Sequence, residues 1–298
     1  MIYNILVCNN ADQLQQRLRN FPATATVNAE YGKIIVEGSV RTHTHPACKC
    51  VNCCCNVNAV GTATFDIDTF GGILAVLGEK SPKTFDPRIP QNLLWDLVAF
   101  VDINGAHKLS DWVANKRSEL GQSSYNNIAN VVDAFWALQA AFHTIVAADS
   151  VTPLDDAVID ITTIYCRLRD KLHAILQADQ SLLHAGIVYR DNQFTINQAS
   201  FKGIIDNKVI VRSSDGIVNH FYRAPNGLLV NRVVGYNPSL SQITITLAHP
   251  EYNVDCAAFA ADYWGGDSNQ ERCIAVSPAG QRFSWQDAVK IARALATL

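Results

Sequence analysis

The chain has 298 residues, of which 48% are hydrophobic, 17% charged and 9% aromatic, and its formal net charge is −3. This much apolar material predicts a sizeable folded core and excludes a chain that is disordered over most of its length. The slightly negative charge leaves no chain-wide basic surface of the kind that binds duplex nucleic acid.

The first 150 residues alternate strand and helix patterns, which is typical of an α/β domain with a parallel sheet. Strands are expected over residues 2–8, over 33–40 and near 59–65. A short helix is expected over 12–19, and a second helix, with glycines near its start, is expected to begin within 65–78. We therefore predict an N-terminal parallel-sheet α/β domain over residues 1–150.

The middle of the chain has the helical spacing of apolar residues, over 89–103, 131–148 and 155–176. Between the last two helices, residues 148–156 have the composition of a hinge. We expect a helical linker over 151–185.

The pattern changes again from about residue 186. Short alternating runs, beginning with the letters FTINQ at 194–198, indicate strands, and two helices are expected over 254–263 and 285–295. The predicted fold class is therefore α/β, with a smaller C-terminal α+β domain over 186–298.

No apolar run reaches the roughly 18 residues of a membrane-spanning helix. The apolar start is too short for a signal peptide and has no basic residues before it. We therefore expect a cytoplasmic protein without a membrane partner. The chain has nine cysteines, an odd number, and in a reducing compartment they are thiols or metal ligands rather than disulfides.

Asp66 and Asp68 form the strongest local motif. The two carboxylates are one residue apart, at the end of an expected buried strand, where open α/β sheets place their ligands. Carboxylate oxygens at this spacing suit Mg²⁺ or Mn²⁺. The alternative is structural: Asp66 caps the following helix, and Asp68 lies in its first turn.

Asp102 and His107 are further candidates, separated by an Asn-Gly turn. They could supply two metal ligands from a neighbouring loop. The alternative is an ordinary turn with a histidine at the surface.

His43 and His45 alternate after the second expected strand, so both imidazoles can converge on one metal ion. A cysteine-rich loop follows, and its spacing is that of half a zinc knuckle. The candidate zinc ligands are Cys48, Cys50, Cys53 and Cys55. A structural zinc, an exposed thiol cluster and a loop without a role all remain open.

Candidate substrate-binding residues lie in the C-terminal part. Gly265 and Gly266 follow an expected helix, and with Arg272 they could bind a phosphate through backbone N–H groups and a guanidinium. The alternative is a glycine pair that ends the helix and an arginine at the surface. His220 and His249 lie on or beside expected strands and are weaker candidates.

Taken in order, these motifs resemble the DHH phosphoesterase superfamily. The parallels are F-D-I-D-T-F-G-G at 65–72, D-I-N-G-A-H at 102–107 and W-G-G at 264–266. The resemblance implies an N-terminal parallel α/β domain, further Asp and His ligands on later strands, a helical linker and a smaller C-terminal domain. It departs from the family because the D-H-H triplet is absent and the glycine loop lacks its histidine.

The resemblance also implies metal-dependent hydrolysis of a phosphodiester or phosphoanhydride, with two Mn²⁺ or Mg²⁺ ions. Asp66, Asp68 and Asp102 would be carboxylate ligands, and His107 with His43 or His45 would complete the set. The C-terminal domain would bind the substrate, with Arg272 and the backbone at Gly265 and Gly266 holding its phosphate. The active site would then lie between the domains. The partner is then a phosphorylated small molecule or a short single-stranded oligonucleotide, and a homodimer is left open.

Two alternatives belong to other classes of protein. The departures favour an inactive relative that binds a nucleotide or a partner and holds zinc at the Cys/His loop. The H-x-H pair is also similar to the opening of amidohydrolase-type barrels, which predicts eight strand–helix units instead of two unequal domains.

Overall fold

The computed structural model describes residues 2–8, 13, 29–31, 34–37, 57–62, 65–76, 88–146, 151, 157–216, 218, 220–248, 254–264, 274–278 and 280–298. The fold is mixed α/β, as the sequence predicts. The chain divides into two compact units, the first comprising 1–98 and 122–189 and the second comprising 99–121 and 190–298. Both units are therefore discontinuous in sequence, and the division into 1–150, 151–185 and 186–298 stays a prediction.

The first unit contains a five-stranded sheet with strand order β2-β3-β4-β1-β5. Its strands are β1 (Ile2–Val7), β2 (Ala29–Tyr31), β3 (Ile34–Glu37), β4 (Val57–Thr62) and β5 (Ile159–Asp160). β1 and β4 pair in parallel, from Ile2 opposite Val57 to Val7 opposite Thr62. The other three pairings are antiparallel, so the predicted parallel sheet is parallel at its β1–β4 pair and mixed overall.

The described helices are α1 (Ile67–Val76), α2 (Gln91–Asn104), α3 (Leu109–Leu120), α4 (Tyr125–Ile145), α5 (Thr162–Leu176), α6 (Gln180–Ser200), α7 (Cys256–Trp264) and α8 (Trp285–Thr297). The division between the units falls within α2 and within α6. In the first unit, α5 packs against both α4 and β1. Thr162 joins α5 to the sheet, because its Oγ1 accepts a hydrogen bond from the Ile5 N–H at 2.9 Å.

Gly186 explains how closely α6 approaches α4 in the first unit. A Cβ atom at position 186 would lie 2.4 Å from the backbone nitrogen of Ala137, a distance that real Cβ contacts essentially never show. A glycine here lets the two helix backbones pack without a side chain between them.

The second unit contains another five-stranded sheet, with strand order β10-β9-β8-β7-β6. Its strands are β6 (Phe201–Ile205), β7 (Val209–Ser213), β8 (Arg232–Asn237), β9 (Gln242–Leu247) and β10 (Ile274–Val276). β7 and β8 are parallel, and the remaining neighbours are antiparallel. The C-terminal part therefore has the α+β character that its sequence pattern indicates.

Both faces of this sheet are covered. Val209 and Val211 face a core that includes buried residues of α7 and α8, such as Trp264 and Ile291. Ile210, one residue out of phase, packs with Tyr222, Ala224 and Val230 of the segment that connects β7 to β8. Because successive residues of a strand point to opposite faces, β7 is buried on both sides and reads as a continuous apolar run with one arginine.

Two sequence expectations are wrong in detail. The FTINQ run at 194–198 lies in α6, because no Gly or Pro interrupts the helix after Gly186 and its apolar alternation is too short to outweigh helical hydrogen bonding. Phe194 is accordingly 56% exposed. The helix expected over 155–176 begins only at Thr162, because Ile159–Asp160 pairs with β1 as β5.

The barrel alternative predicts eight strand–helix units around one parallel barrel. The strands described form two separate five-stranded sheets, each with a single parallel pair, so this alternative is wrong in fold. Within the described part of the chain, no helix has both the length and the apolar character needed to cross a membrane.

Candidate functional site

Asp66 and Asp68 lie where the chain passes from β4 into α1. The backbone carbonyl of Asp66 accepts from Phe70 N–H at 2.9 Å, and its Oδ1 accepts from Thr69 N–H at 3.0 Å. Asp66 is therefore the N-cap of α1, and Asp68 is the acidic residue of its first turn. The structural alternative is thus realised, and the carboxylates also follow the end of a parallel strand pair, where the D-x-D hypothesis expects them.

The orientation of this turn is fixed by Phe70, which is completely buried beneath it. Its ring meets those of Phe65, Trp95 and Tyr165 at centroid distances of 6.5, 6.2 and 5.6 Å, in edge-on arrangements. Offset and edge-on contacts of this kind are favourable between aromatic rings. The aromatic cluster therefore holds the carboxylates at the start of α1 in a defined position.

A buried hydroxyl group lies beside the two carboxylates. Thr69 is 2% exposed, and its Oγ1 has no hydrogen-bond partner among the residues that the structure describes. A buried hydroxyl without a partner costs about 1–3 kcal/mol. The start of α1 therefore contains two carboxylates and a buried, unsatisfied hydroxyl within four residues.

Asp102 and His107 belong to the second unit. The resemblance implies ligands on strands, but Asp102 is an exposed residue of α2, and His107 lies in a short 3-10 helix over Ala106–Lys108. Gly105 makes the turn between them with a φ of 82°, and a Cβ atom there would lie 2.6 Å from His107 Nδ1. A glycine is needed here both for its backbone conformation and for space.

His107 is largely enclosed within its unit. Its ring lies 4.9 Å from the ring of Tyr222, and its Nδ1 is buried without a hydrogen-bond partner among the described residues. Burial lowers the pKa of His107 from 6.5 to about 4, with Lys108 and Arg223 acting in the same direction and Asp111 opposing them. The imidazole is therefore neutral at pH 7, which is the form that ligates metals and donates through one ring nitrogen.

Three basic residues around the His107 segment were not singled out in the sequence analysis. Two of them place charge near His107, and the third orders the segment that contains Tyr222. Arg223 Nη2 lies 3.5 Å from the His107 carbonyl oxygen, and Lys108 is the next residue in the chain. Arg212, in β7, is completely buried. A lone arginine in an otherwise apolar strand is the one signal that could have identified Arg212; Arg223, beside an aromatic pair and a Pro-Asn-Gly turn, has no comparable signal.

Arg212 fixes the segment that packs against His107. Its Nε donates to the carbonyl of Phe221 at 3.0 Å, and its Nη2 donates to the carbonyl of Arg223 at 2.9 Å. Its Nη1 donates to Asn197 O at 2.6 Å and Ser200 Oγ at 3.1 Å. The carbonyls on both sides of Tyr222 are therefore held by one guanidinium.

Burial lowers the pKa of Arg212 to about 10, so the group remains charged at neutral pH. Its four hydrogen bonds go to neutral oxygens, and the rings of Phe201 and Phe221 lie 5.9 and 5.4 Å from its guanidinium carbon. Aromatic faces stabilise such a cation.

Of the weaker candidates, His220 is exposed and its ring lies 4.2 Å from that of Phe221. The remaining predicted site residues lie outside the described part of the chain. They are His43, His45, Cys48, Cys50, Cys53, Cys55, His249, Gly265, Gly266 and Arg272. Their roles stay predictions.

A divalent metal ion needs several converging donors. Across the described ranges, the side chains of His, Cys, Asp and Glu form no group of three or more that would hold one. Asp66 and Asp68 carry the oxygen ligands that Mg²⁺ or Mn²⁺ prefers, but the described residues do not complete a site for either ion.

Comparisons with known proteins add no relative. No protein-family model, no curated protein and no solved structure matches the chain. The relationship to DHH phosphoesterases is therefore a prediction that rests on the motifs at 65–72, 102–107 and 264–266.

Proposed function

We propose that the chain is a divalent-metal-dependent phosphoesterase that hydrolyses a phosphodiester or phosphoanhydride of a small nucleotide or oligonucleotide. The observation that carries the proposal is the position of Asp66 and Asp68 at the start of α1, directly after the strand that pairs in parallel with β1. Ligand sites of α/β proteins lie at the carboxyl ends of such strands.

The chemistry of this turn supports the proposal. Asp66 and Asp68 supply hard oxygen ligands, and the aromatic cluster around Phe70 keeps them in place. When bound, Mn²⁺ or Mg²⁺ would supply Lewis acidity, and the remaining ligands, including His43 and His45, are part of the proposal.

The second unit contributes groups of a different kind. His107 is neutral at pH 7, whereas Arg223 and Lys108 carry positive charge beside it. Neutral imidazole and fixed cations are groups that phosphoryl chemistry uses.

The test compares three forms of the full-length protein: wild type, the double variant Asp66→Asn/Asp68→Asn, and Asp170→Asn. Asp170 is an exposed carboxylate of the same unit, with 71% of its side chain accessible, so it controls for lost negative charge. Bound metal is measured by elemental analysis after incubation with Mn²⁺, and hydrolysis is measured on bis(p-nitrophenyl) phosphate and on pyrophosphate.

We expect metal-dependent hydrolysis by the wild type and by Asp170→Asn, and a loss of about 100-fold or more in the double variant. Bound metal should fall in the same variant. Equal metal content and equal hydrolysis in all three proteins would refute the proposal.

The second candidate function is that of a non-catalytic relative that binds a nucleotide or a partner, with zinc at the Cys/His loop. It is favoured by two departures from the resemblance, because the D-H-H triplet is absent and the glycine loop at 264–266 lacks its histidine. This candidate predicts that the double variant Asp66→Asn/Asp68→Asn keeps its bound zinc. It also predicts no hydrolysis by any of the three proteins. Zinc lost in Cys50→Ser/Cys53→Ser would place the ion at the loop.

A further inference from the structure

Positive charge is concentrated beside His107 in the second unit. Arg223 Nη2 lies 3.5 Å from the His107 carbonyl oxygen, and Lys108 directly follows His107 in the 3-10 helix. Among the described residues that shift the pKa of His107 by their charge, Lys108 and Arg223 are cations and Asp111 is an anion. Two cations and one carboxylate therefore act on His107.

The guanidinium of Arg223 is held in place by neutral groups. Its Nη1 donates to the carbonyl of Gly227 at 3.0 Å, and its Nη2 points to the carbonyl of His107. A guanidinium has more N–H donors than these two carbonyls accept. Because both acceptors are uncharged, Arg223 keeps its full charge and has donors left for a ligand.

The backbone beneath Arg223 is also fixed. Arg212, completely buried, donates to the carbonyls of Phe221 and Arg223, and Ala224 N–H donates to Leu228 O at 2.8 Å. The bond between Ala224 N–H and Leu228 O closes the turn that contains Gly227. Little side-chain and backbone freedom is therefore lost when Arg223 contacts a ligand, which favours binding.

The three residues of the cluster are partly exposed, whereas Tyr222, whose ring lies 4.9 Å from that of His107, is 7% exposed. A ligand can therefore reach the cations from solvent. The side-chain types also define the ligand: a planar guanidinium matches two oxygens of one tetrahedral anion, and a lysine adds a mobile point charge.

We propose that Arg223 and Lys108 form, beside His107, a binding site for a phosphate group. The site deepens the proposed function, on which its biological role rests, because every substrate of that reaction carries such a group. Its formation depends only on residues of the second unit and requires neither Asp66 nor Asp68. The phosphate can belong to a mononucleotide or to a short single-stranded oligonucleotide.

The test is calorimetric titration of the full-length protein in metal-free buffer with three probes: inorganic pyrophosphate, adenosine 5′-monophosphate and a tetrathymidylate. The variants are Arg223→Met and Lys108→Met, with Lys202→Met as the matched control. Lys202 is an exposed cation of the same unit, in β6, whose Nζ contacts only the Ala199 carbonyl at 3.4 Å among the described residues.

We expect at least one probe to bind, with Arg223→Met raising Kd about tenfold or more because a charge-assisted hydrogen bond is lost. Lys108→Met should raise Kd by a smaller factor, and Lys202→Met should leave it unchanged. Since the side chain of Lys108 makes no hydrogen bond to any described residue, its variant remains informative even if Arg223→Met misfolds. Tighter binding of the monophosphate than of the tetrathymidylate would identify a mononucleotide as the source, and the reverse order would identify an oligonucleotide.

The proposal is overturned if no probe binds the wild type, or if Lys202→Met weakens binding as much as Arg223→Met. Its failure is distinguishable from failure of the proposed function. Binding that depends on Arg223, together with no hydrolysis under any metal condition, would leave the phosphate site standing and remove the phosphoesterase assignment. Hydrolysis that depends on Asp66 and Asp68 but not on Arg223 or Lys108 would support the phosphoesterase assignment and remove the phosphate site from it.

Discussion

The Oδ1 atom of Asp66 accepts a hydrogen bond from the backbone N–H of Thr69 at 3.0 Å. The same carboxylate therefore caps α1 and, under the proposed function, is a metal ligand. The two roles are separable by mutation, since asparagine retains the capping oxygen but removes the charge.

Asp66→Ala should lower the free energy of unfolding by about 1 kcal/mol through loss of the cap, whereas Asp66→Asn should leave it nearly unchanged. Metal-dependent hydrolysis should be lost in both variants. Urea denaturation followed by circular dichroism measures the first quantity. If Asp66→Asn proves as unstable as Asp66→Ala, the charge of Asp66 rather than its oxygen alone stabilises the start of α1, and the effect on activity is not a clean test of metal binding.

Gly186 provides a test of the packing between α6 and α4. In an isolated helix, alanine is more favourable than glycine by about 1 kcal/mol. Here its Cβ would lie 2.4 Å from Ala137 N, against backbone atoms that cannot move aside cheaply. Gly186→Ala should therefore destabilise the protein by about 1–3 kcal/mol despite its better helix propensity.

The matched control is Gly203→Ala, because a Cβ at position 203 meets nothing within 4 Å. Thermal unfolding of the two variants beside the wild type is sufficient. A melting temperature that rises in Gly186→Ala would show that the two helices do not approach as closely as described.

Arg212 is expected to be the most sensitive single residue of the second unit. Arg212→Met leaves the carbonyls of Phe221 and Arg223 without their donor in a buried region, which should cost on the order of 3 kcal/mol. Arg212→Lys should recover only part of this loss, since one ammonium cannot reproduce the directions of a guanidinium. Urea denaturation measures all three proteins.

Arg190→Met is the control for this comparison. Arg190 pairs with Asp191 at the surface, at 3.0 Å, and such pairs contribute at most about 1 kcal/mol. Equal stability of the Arg190 and Arg212 variants would mean that the network around Tyr222 carries little energy.

The fold class was predictable from the sequence because it depends on repeated patterns. The apolar spacing in α4 and α5 and the β-branched runs of β7 and β9 each extend over enough residues to indicate the correct element. The cap at Asp66 was also predictable, since an aspartate before an apolar helical run is a local signal.

Other features depend on partners that are distant in the chain. The helix that contains Asp102 was predicted by the apolar spacing over 89–103, whereas the resemblance implied a ligand on a strand. Arg212 is buried by a segment about ten residues further on and by the end of α6, so its role cannot be read from V-I-V-R-S alone. Pairing of β1 with β4 across fifty residues is similarly invisible to local periodicity, although the alternation of elements suggested it.

The pH dependence of stability should report the environment of His107. Its pKa is lowered from 6.5 to about 4, first by burial and then by Lys108 and Arg223, with Asp111 opposing. Between pH 6.5 and pH 4 the unfolded chain therefore binds a proton that the native state does not. Stability should fall as the pH decreases through this window, because protonation favours the unfolded state, and above pH 6.5 this contribution vanishes.

We expect the decrease in the free energy of unfolding from pH 7 to pH 5 to be smaller in His107→Gln than in the wild type. His184→Gln, which replaces an exposed histidine of α6, should retain the wild-type decrease. Urea denaturation at the two pH values measures each difference within one protein, so a constant effect of the substitution on packing against Tyr222 cancels. An identical pH response in the wild type and His107→Gln would mean that His107 is as accessible to protons in the native state as in the unfolded chain.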